Sequence, residues 1–279
     1  MDQDRRKLNE VLARYDLEPS LTDVWVEGLF DREVLTHCFR TNGQEQQIFY
    51  EIDTVEIPEE TVRFHGLTNG NKQRVIVLSR LLSELNPDMR CRCLVDRDLD
   101  EWSGSLEQNA VLLWTAHSSI ELYFYSEPSL QELLVVAARA RFADWPEFLN
   151  SLTSLLQDLF AMRLADRELS WAMEWLAPYK LLDNDERSIK FDSNEYIDRL
   201  LSKNGKLSKK QEFETCYRTW RGALVGDPRN SIKGHDMVGM LSWSVKAFKG
   251  LKELASDAAV ERIFVLAAPR IPALLEILA

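Results

Sequence analysis

Apolar and polar positions along this chain follow two different periods, and the balance between them changes near residue 126. Before that point, short β-favouring runs are separated by stretches of helical spacing. Asp23-Val24-Trp25-Val26, Gln47 to Ile52, Arg90 to Val95 and Val111 to Thr115 read as buried strands. Leu8, Val11, Leu12 and Tyr15 predict an amphipathic helix over 1–18, and Val34, Leu35 and Cys38 one over 32–40. Val75, Ile76, Leu78, Leu81, Leu82 and Leu85 predict a third, closed by Asn86-Pro87-Asp88, and Leu122 to Tyr125 reads as a short aromatic helix. Strands alternating with helices predict an α/β domain over 1–126, a mainly parallel sheet flanked by helices. From 127 to 279 helical spacing recurs over 130–142, 145–167, 168–176, 194–203, 208–224, 234–254 and 256–278, predicting a mostly helical region without strands.

The strands end in acids. Cys91-Arg92-Cys93-Leu94-Val95 runs into Asp96, Asp98 and Asp100. If the chain stays extended there, the period of two sets all three carboxylates on one side. Crowded like charges repel unless a cation lies between them; a solvated Asp-rich turn is the other reading. Val24-Trp25-Val26 stops at Glu27-Gly28, with Asp31 placed to cap the next helix. The last strand leads to Ser119-Ile120-Glu121. In parallel sheets, ligands gather outside the carboxyl ends of the strands, which is where Glu27, Asp96, Asp98 and Glu121 fall. Gly70-Asn71-Lys72 opens a helix and offers N–H groups and an ammonium to an anion. Arg97, between the aspartates, is expected on the opposite face, paired with a structural acid.

Composition narrows the class. The chain is 279 residues long, 45% hydrophobic and 28% charged, as in water-soluble globular proteins. No apolar run approaches the roughly 20 residues that span a bilayer, and no signal-peptide core opens the chain, so a cytoplasmic protein without membrane contact is expected. Cys38, Cys91, Cys93 and Cys216 form no CxxC pair, which argues against a zinc site. The net charge of −11 argues against a general polyanion binder. The charge is uneven, however: residues 190–252 carry thirteen Lys or Arg against seven acids, a local +6 that leaves −17 elsewhere. That segment could form a phosphate-holding face or only a solvated one.

Val26-Glu27-Gly28-Leu29-Phe30-Asp31, Gly70-Asn71-Lys72, Asp96-Arg97-Asp98-Leu99-Asp100 and Ser119-Ile120-Glu121 together resemble the TOPRIM fold. They are most similar to a TOPRIM-related prokaryotic family that includes the nuclease toxin of the PARIS anti-phage system, and more distantly to the OLD-type nucleases. The resemblance covers about residues 20–126. It implies a Mg²⁺-dependent (or Mn²⁺-dependent) endonuclease acting on RNA, such as tRNA, or on DNA, and a toxin or effector role in defence. It also implies an ATPase partner. Ile232-Lys233-Gly234-His235-Asp236 resembles a loop of the same family more weakly.

The chemistry agrees with that implication. Phosphodiester hydrolysis needs charge neutralised on the phosphate and an activated water. Mg²⁺ prefers oxygen ligands, so a few carboxylates suffice. Glu27, Asp96 and Asp98 are the expected ligands, with Asp31, Asp100 and Glu121 as outer candidates. Lys72 is expected to contact the scissile phosphate or to stabilise developing charge. His235 is a candidate acid or base, a backbone-bonded loop histidine being the alternative. His117 and Ser118 form no nucleophilic pair, since adjacent side chains diverge. No zinc ribbon or suitably placed tyrosine supports primase or topoisomerase chemistry. The competing reading is a non-catalytic TOPRIM-like module that docks to a partner ATPase. A homodimer is compatible with either.

Overall fold

The computed structural model describes residues 5–86 and 88–278. The chain forms two compact units. One comprises the residues up to Tyr123 together with those from Ile263 on; the other is Phe124–Arg262.

The first unit is built on a four-stranded sheet: β1 (Val24–Val26), β2 (Phe49–Glu51), β3 (Arg92–Val95) and β4 (Leu112–Trp114). Its order is β2-β1-β3-β4, and every pairing is parallel. Val26 lies opposite Glu51, Trp25 opposite Cys93, and Val95 opposite Trp114. All three residues of β1 are buried, as a central strand covered on both faces requires. Helices α1 (Leu8–Leu17), α2 (Leu29–Thr41) and α3 (Asn71–Leu85) accompany it. The core joins Val11 and Tyr15 of α1, Val75 and Leu78 of α3, and Trp25, Cys93 and Leu112 of the sheet. The indole N–H of Trp25 donates to the Tyr15 hydroxyl at 2.9 Å, and that hydroxyl donates to Asp23 Oδ2 at 3.0 Å. Arg14 neutralises the Asp23 carboxylate at 2.9 Å. Large side chains thus enter the core with their polar atoms paired.

The chain leaves β1 through α2 to β2, then returns through α3 to β3 on the other flank of β1. The strand order therefore reverses between β1 and β3, which opens a crevice at their carboxyl ends. The β3–β4 connection carries turns and no helix. Residues 268–275 return to pack on α2, and Asn42 Nδ2 donates to the Pro269 carbonyl at 3.3 Å. The region predicted to run from 127 to 279 as one body therefore gives its last segment to the first unit.

The second unit is mostly helical: α4 (Trp145–Glu168), α5 (Ser193–Lys203), α6 (Lys210–Ala223), α7 (Gly234–Ala247), and most of α8 (Asp257–Ala267). Asp144 caps α4 by accepting from the Glu147 N–H at 3.1 Å. Three expectations fail here. The helix predicted over 168–176 does not form; Ser170 and Ala172 adopt φ of 53° and 50°, and Asp166 accepts from the Met173 N–H. Pro269 and Pro272 break the helix predicted over 256–278. An unpredicted antiparallel hairpin joins β5 (Leu182–Asn184) to β6 (Ile189–Phe191), its turn held by Asp185 Oδ1 accepting from Arg187 and Ser188. Its strands are too short and polar to show a period. Among the described residues, no helix is long and apolar enough to cross a membrane.

Candidate metal centre

The crevice between β1 and β3 is lined by acids. Val26 and Val95, the last residues of β1 and β3, are buried, and each is followed at once by a carboxylate, Glu27 and Asp96. Glu27 Oε1 accepts from the backbone N–H of Asp96 at 2.9 Å, tying the two strand ends together. Asp96 Oδ1 accepts in turn from the Ile120 N–H at 3.0 Å, and the Asp98 N–H donates to the Ser118 carbonyl at 2.7 Å. The 118–121 segment is thereby fixed against the aspartate loop, and Glu121, only 7% exposed, is brought to the same place. Asp31 lies in the first turn of α2 and reaches back to the Gly28 N–H at 3.1 Å. The helix starts at Leu29, earlier than expected, so Asp31 reaches back from its third residue and does not precede it.

Burial raises the proton affinity of these carboxyls, and their mutual repulsion adds to it. Burial pushes Glu27 up to about 7; the Asp96 hydrogen bond and the Lys72 charge oppose this, and Asp98 and Glu121 reinforce it. Burial likewise holds Asp31 well above the usual carboxylate range, helped by Glu27 and Glu121. Asp96 is raised by burial, then by Glu27, Asp31, Glu121 and Asp98. Five carboxylates, Glu27, Asp31, Asp96, Asp98 and Glu121, thus share one electrostatic field. Among the described residues, two buried oxygens of the 118–121 segment, Glu121 Oε2 and Ser119 Oγ, have no hydrogen-bond partner. An all-oxygen donor set with an orphaned buried carboxylate oxygen suits a hard divalent cation.

The remaining aspartates behave differently. The chain does not stay extended past Val95: Asp98 adopts φ of 45° and residues 98–100 form a turn. The alternation expected of Asp96, Asp98 and Asp100 is therefore lost. Asp98 and Asp100 meet Lys72, whose ammonium lies 3.1 Å from Asp98 Oδ2 and 2.7 Å from Asp100 Oδ2. Lys72 is buried and also stands 5.3 Å from the centroid of the Trp114 ring. Burial alone would lower its pKa, but Asp98, Asp100 and Glu27 outweigh it and hold the ammonium above its ordinary value. Lys72 is therefore an internal counter-ion here, rather than the open anion contact expected of it. Among the described residues, no three carboxylate, imidazole or thiolate groups form a ready ligand set.

Arg97 pairs with Glu101 at 3.0 Å, the structural role expected of it. Asn71, which the sequence singles out only for its place at a helix start, donates its side-chain amide to the Glu27 carbonyl at 2.9 Å and to Asp53 Oδ2 at 3.1 Å. Arg74 secures Asp53 at 2.6 Å, so α3 supports the backbone that presents Glu27. His235 belongs to the second unit, exposed at the start of α7. Its neighbour Asp236 is held by Arg163 at 2.8 Å.

The basic segment 190–252 is largely neutralised. Lys190, Arg199, Lys203, Lys210, Arg218, Arg221, Arg229 and Lys249 each pair with an acid. No protein-family model and no curated protein matches this chain.

Proposed function

We propose that the first unit is the catalytic part of a Mg²⁺- or Mn²⁺-dependent endonuclease of TOPRIM type, an effector of anti-phage defence. The observation that carries this reading is the meeting of Glu27, Asp31, Asp96 and Glu121 at the switch point of a parallel sheet, with Glu121 Oε2 buried and unpartnered. Such a group of buried acids destabilises the fold unless a cation offsets its charge. Glu27, Asp96 and Glu121 would hold the cation, with Asp31 behind them. A bound cation would neutralise the non-bridging phosphate oxygens and ease deprotonation of the attacking water. Binding of the cation would favour the ionised carboxylates and release the protons that burial holds on them. Lys72 supplies positive charge beside the same loop, with Asp98 and Asp100 fixing its position.

The deciding experiment is end-sequencing of RNA and DNA after exposure to wild type and to Glu27→Gln, with and without Mg²⁺. Metal-dependent ends that vanish in the variant support the reading; identical ends from both proteins overturn it.

One observation favours a second reading. Lys72 already neutralises Asp98 and Asp100, as it would in a TOPRIM-like module that docks to an ATPase and no longer cleaves. Mn²⁺ binding without cleavage of any nucleic acid would select it.

A further inference from the structure

In the second unit one side chain sits between two residues of left-handed backbone, the first of them closing α4. Ser170 and Ala172, neither of them glycine, both adopt left-handed φ, of 53° and 50°. Non-glycine residues pay for that conformation, and two of them enclosing a single residue is unusual. The residue between them is Trp171. Its ring stacks on the fully buried Phe213 of α6 at 5.8 Å between centroids. The Lys206 ammonium stands 4.9 Å from the Trp171 centroid and the Lys209 ammonium 5.5 Å. The two charges are therefore within about 10 Å of each other, a distance that salt at 0.1 M only partly screens. Among the described residues neither has a carboxylate partner, although eight neighbours in the 190–252 segment do. An aromatic plate holding two unneutralised ammoniums in place is an anion cradle at little further entropic cost.

We infer that Trp171, Lys206 and Lys209 form a docking site for the phosphodiester backbone of nucleic acid. Lysine ammoniums read phosphate charge and carry no base or sugar information, so the site takes RNA and DNA alike. The inference rests on the proposed nuclease reading for the identity of its ligand; its geometry stands without it.

The test uses the full chain in EDTA, with binding of a fluorescein-labelled RNA hairpin and a labelled DNA duplex read by anisotropy over a salt series. The Lys206→Glu/Lys209→Glu variant should bind both at least about tenfold more weakly, with a salt slope shallower by about 1 per lysine. Lys206→Arg/Lys209→Arg should bind as wild type, and the thermal melts of all three should coincide. Wild-type affinity in the Glu variant overturns the site, as does absence of binding by the wild type. Hydrolysis of bis(p-nitrophenyl) phosphate with Mn²⁺ is measured in parallel. That small ester needs no docking surface, so its loss in the wild type speaks against the nuclease reading alone.

Discussion

Glu27 Oε1 accepts a hydrogen bond from the backbone N–H of Asp96, 69 residues further along the chain, at 2.9 Å. The bond joins the carboxyl ends of β1 and β3 and holds two acids where neither would choose to be. Glu27→Gln keeps an oxygen for that bond and removes one charge from the group. We expect nuclease activity to fall at least about 100-fold, since one of the carboxylates proposed to hold the cation is lost. The metal-free melting temperature at pH 8 should rise by a few degrees, since about 1 kcal/mol moves a chain of this size by about 2–4 °C. Unchanged activity would remove Glu27 from the site.

The same group makes stability depend on pH. The Glu27 carboxyl is pushed up to about 7 in the fold, against 4.5 for an ordinary glutamate. Between those values the folded chain binds more protons than the unfolded one, so its contribution is present at low pH and is lost as pH rises through about 7. Asp31 and Asp96, also raised, act in the same direction. Thermal melts in EDTA should therefore fall from pH 5 to pH 8, and 5 mM Mn²⁺ should recover most of the loss at about pH 8 by binding only the folded state. A melting temperature that is flat with pH and indifferent to Mn²⁺ would sink the idea.

Lys72 carries two aspartates, so its removal leaves both uncompensated. Breaking one side of a largely buried ion pair costs about 3–5 kcal/mol; Asp98 keeps partial solvent access, which places Lys72→Met at the lower end. Chemical denaturation should show that loss. Calorimetry should show tighter Mn²⁺ binding than in wild type, because Asp98 and Asp100 are released to a cation. Weaker binding would mean that Lys72 positions the ligands and does not compete with one.

Tyr15 is fully buried between Trp25 and Asp23. Tyr15→Phe leaves the Trp25 indole N–H without its acceptor, at a cost of about 1–3 kcal/mol. Urea titration should show the shift in midpoint with the slope unchanged, and metal binding should be unaffected.

The sheet was legible as short apolar runs, and two of its acids because β1 and β3 are each stopped at once by a carboxylate. Val26 before Glu27 and Val95 before Asp96 carry that signal in two letters. Asp98 and Asp100 were misplaced because alternation holds only while a strand continues, and the left-handed turn at Asp98 ends it. The helix expected over 168–176 failed for a related reason: apolar spacing there persists through Ser170 and Ala172, whose backbone is not helical. Nor does an apolar period say which core it covers. Residues 268–275 show a helical pattern like their neighbours, yet they pack on α2 of the first unit.

That return sets the order of assembly. The carboxylate-bearing unit is written in two pieces with the helical unit between them, so no single proteolytic cut separates the two units intact. During synthesis, at about 5–20 residues per second, the helical unit can close while α2 still lacks its cover. The helix whose first turn carries Asp31 is then covered by the segment made after it, and a chain arrested before residue 263 would lack that cover.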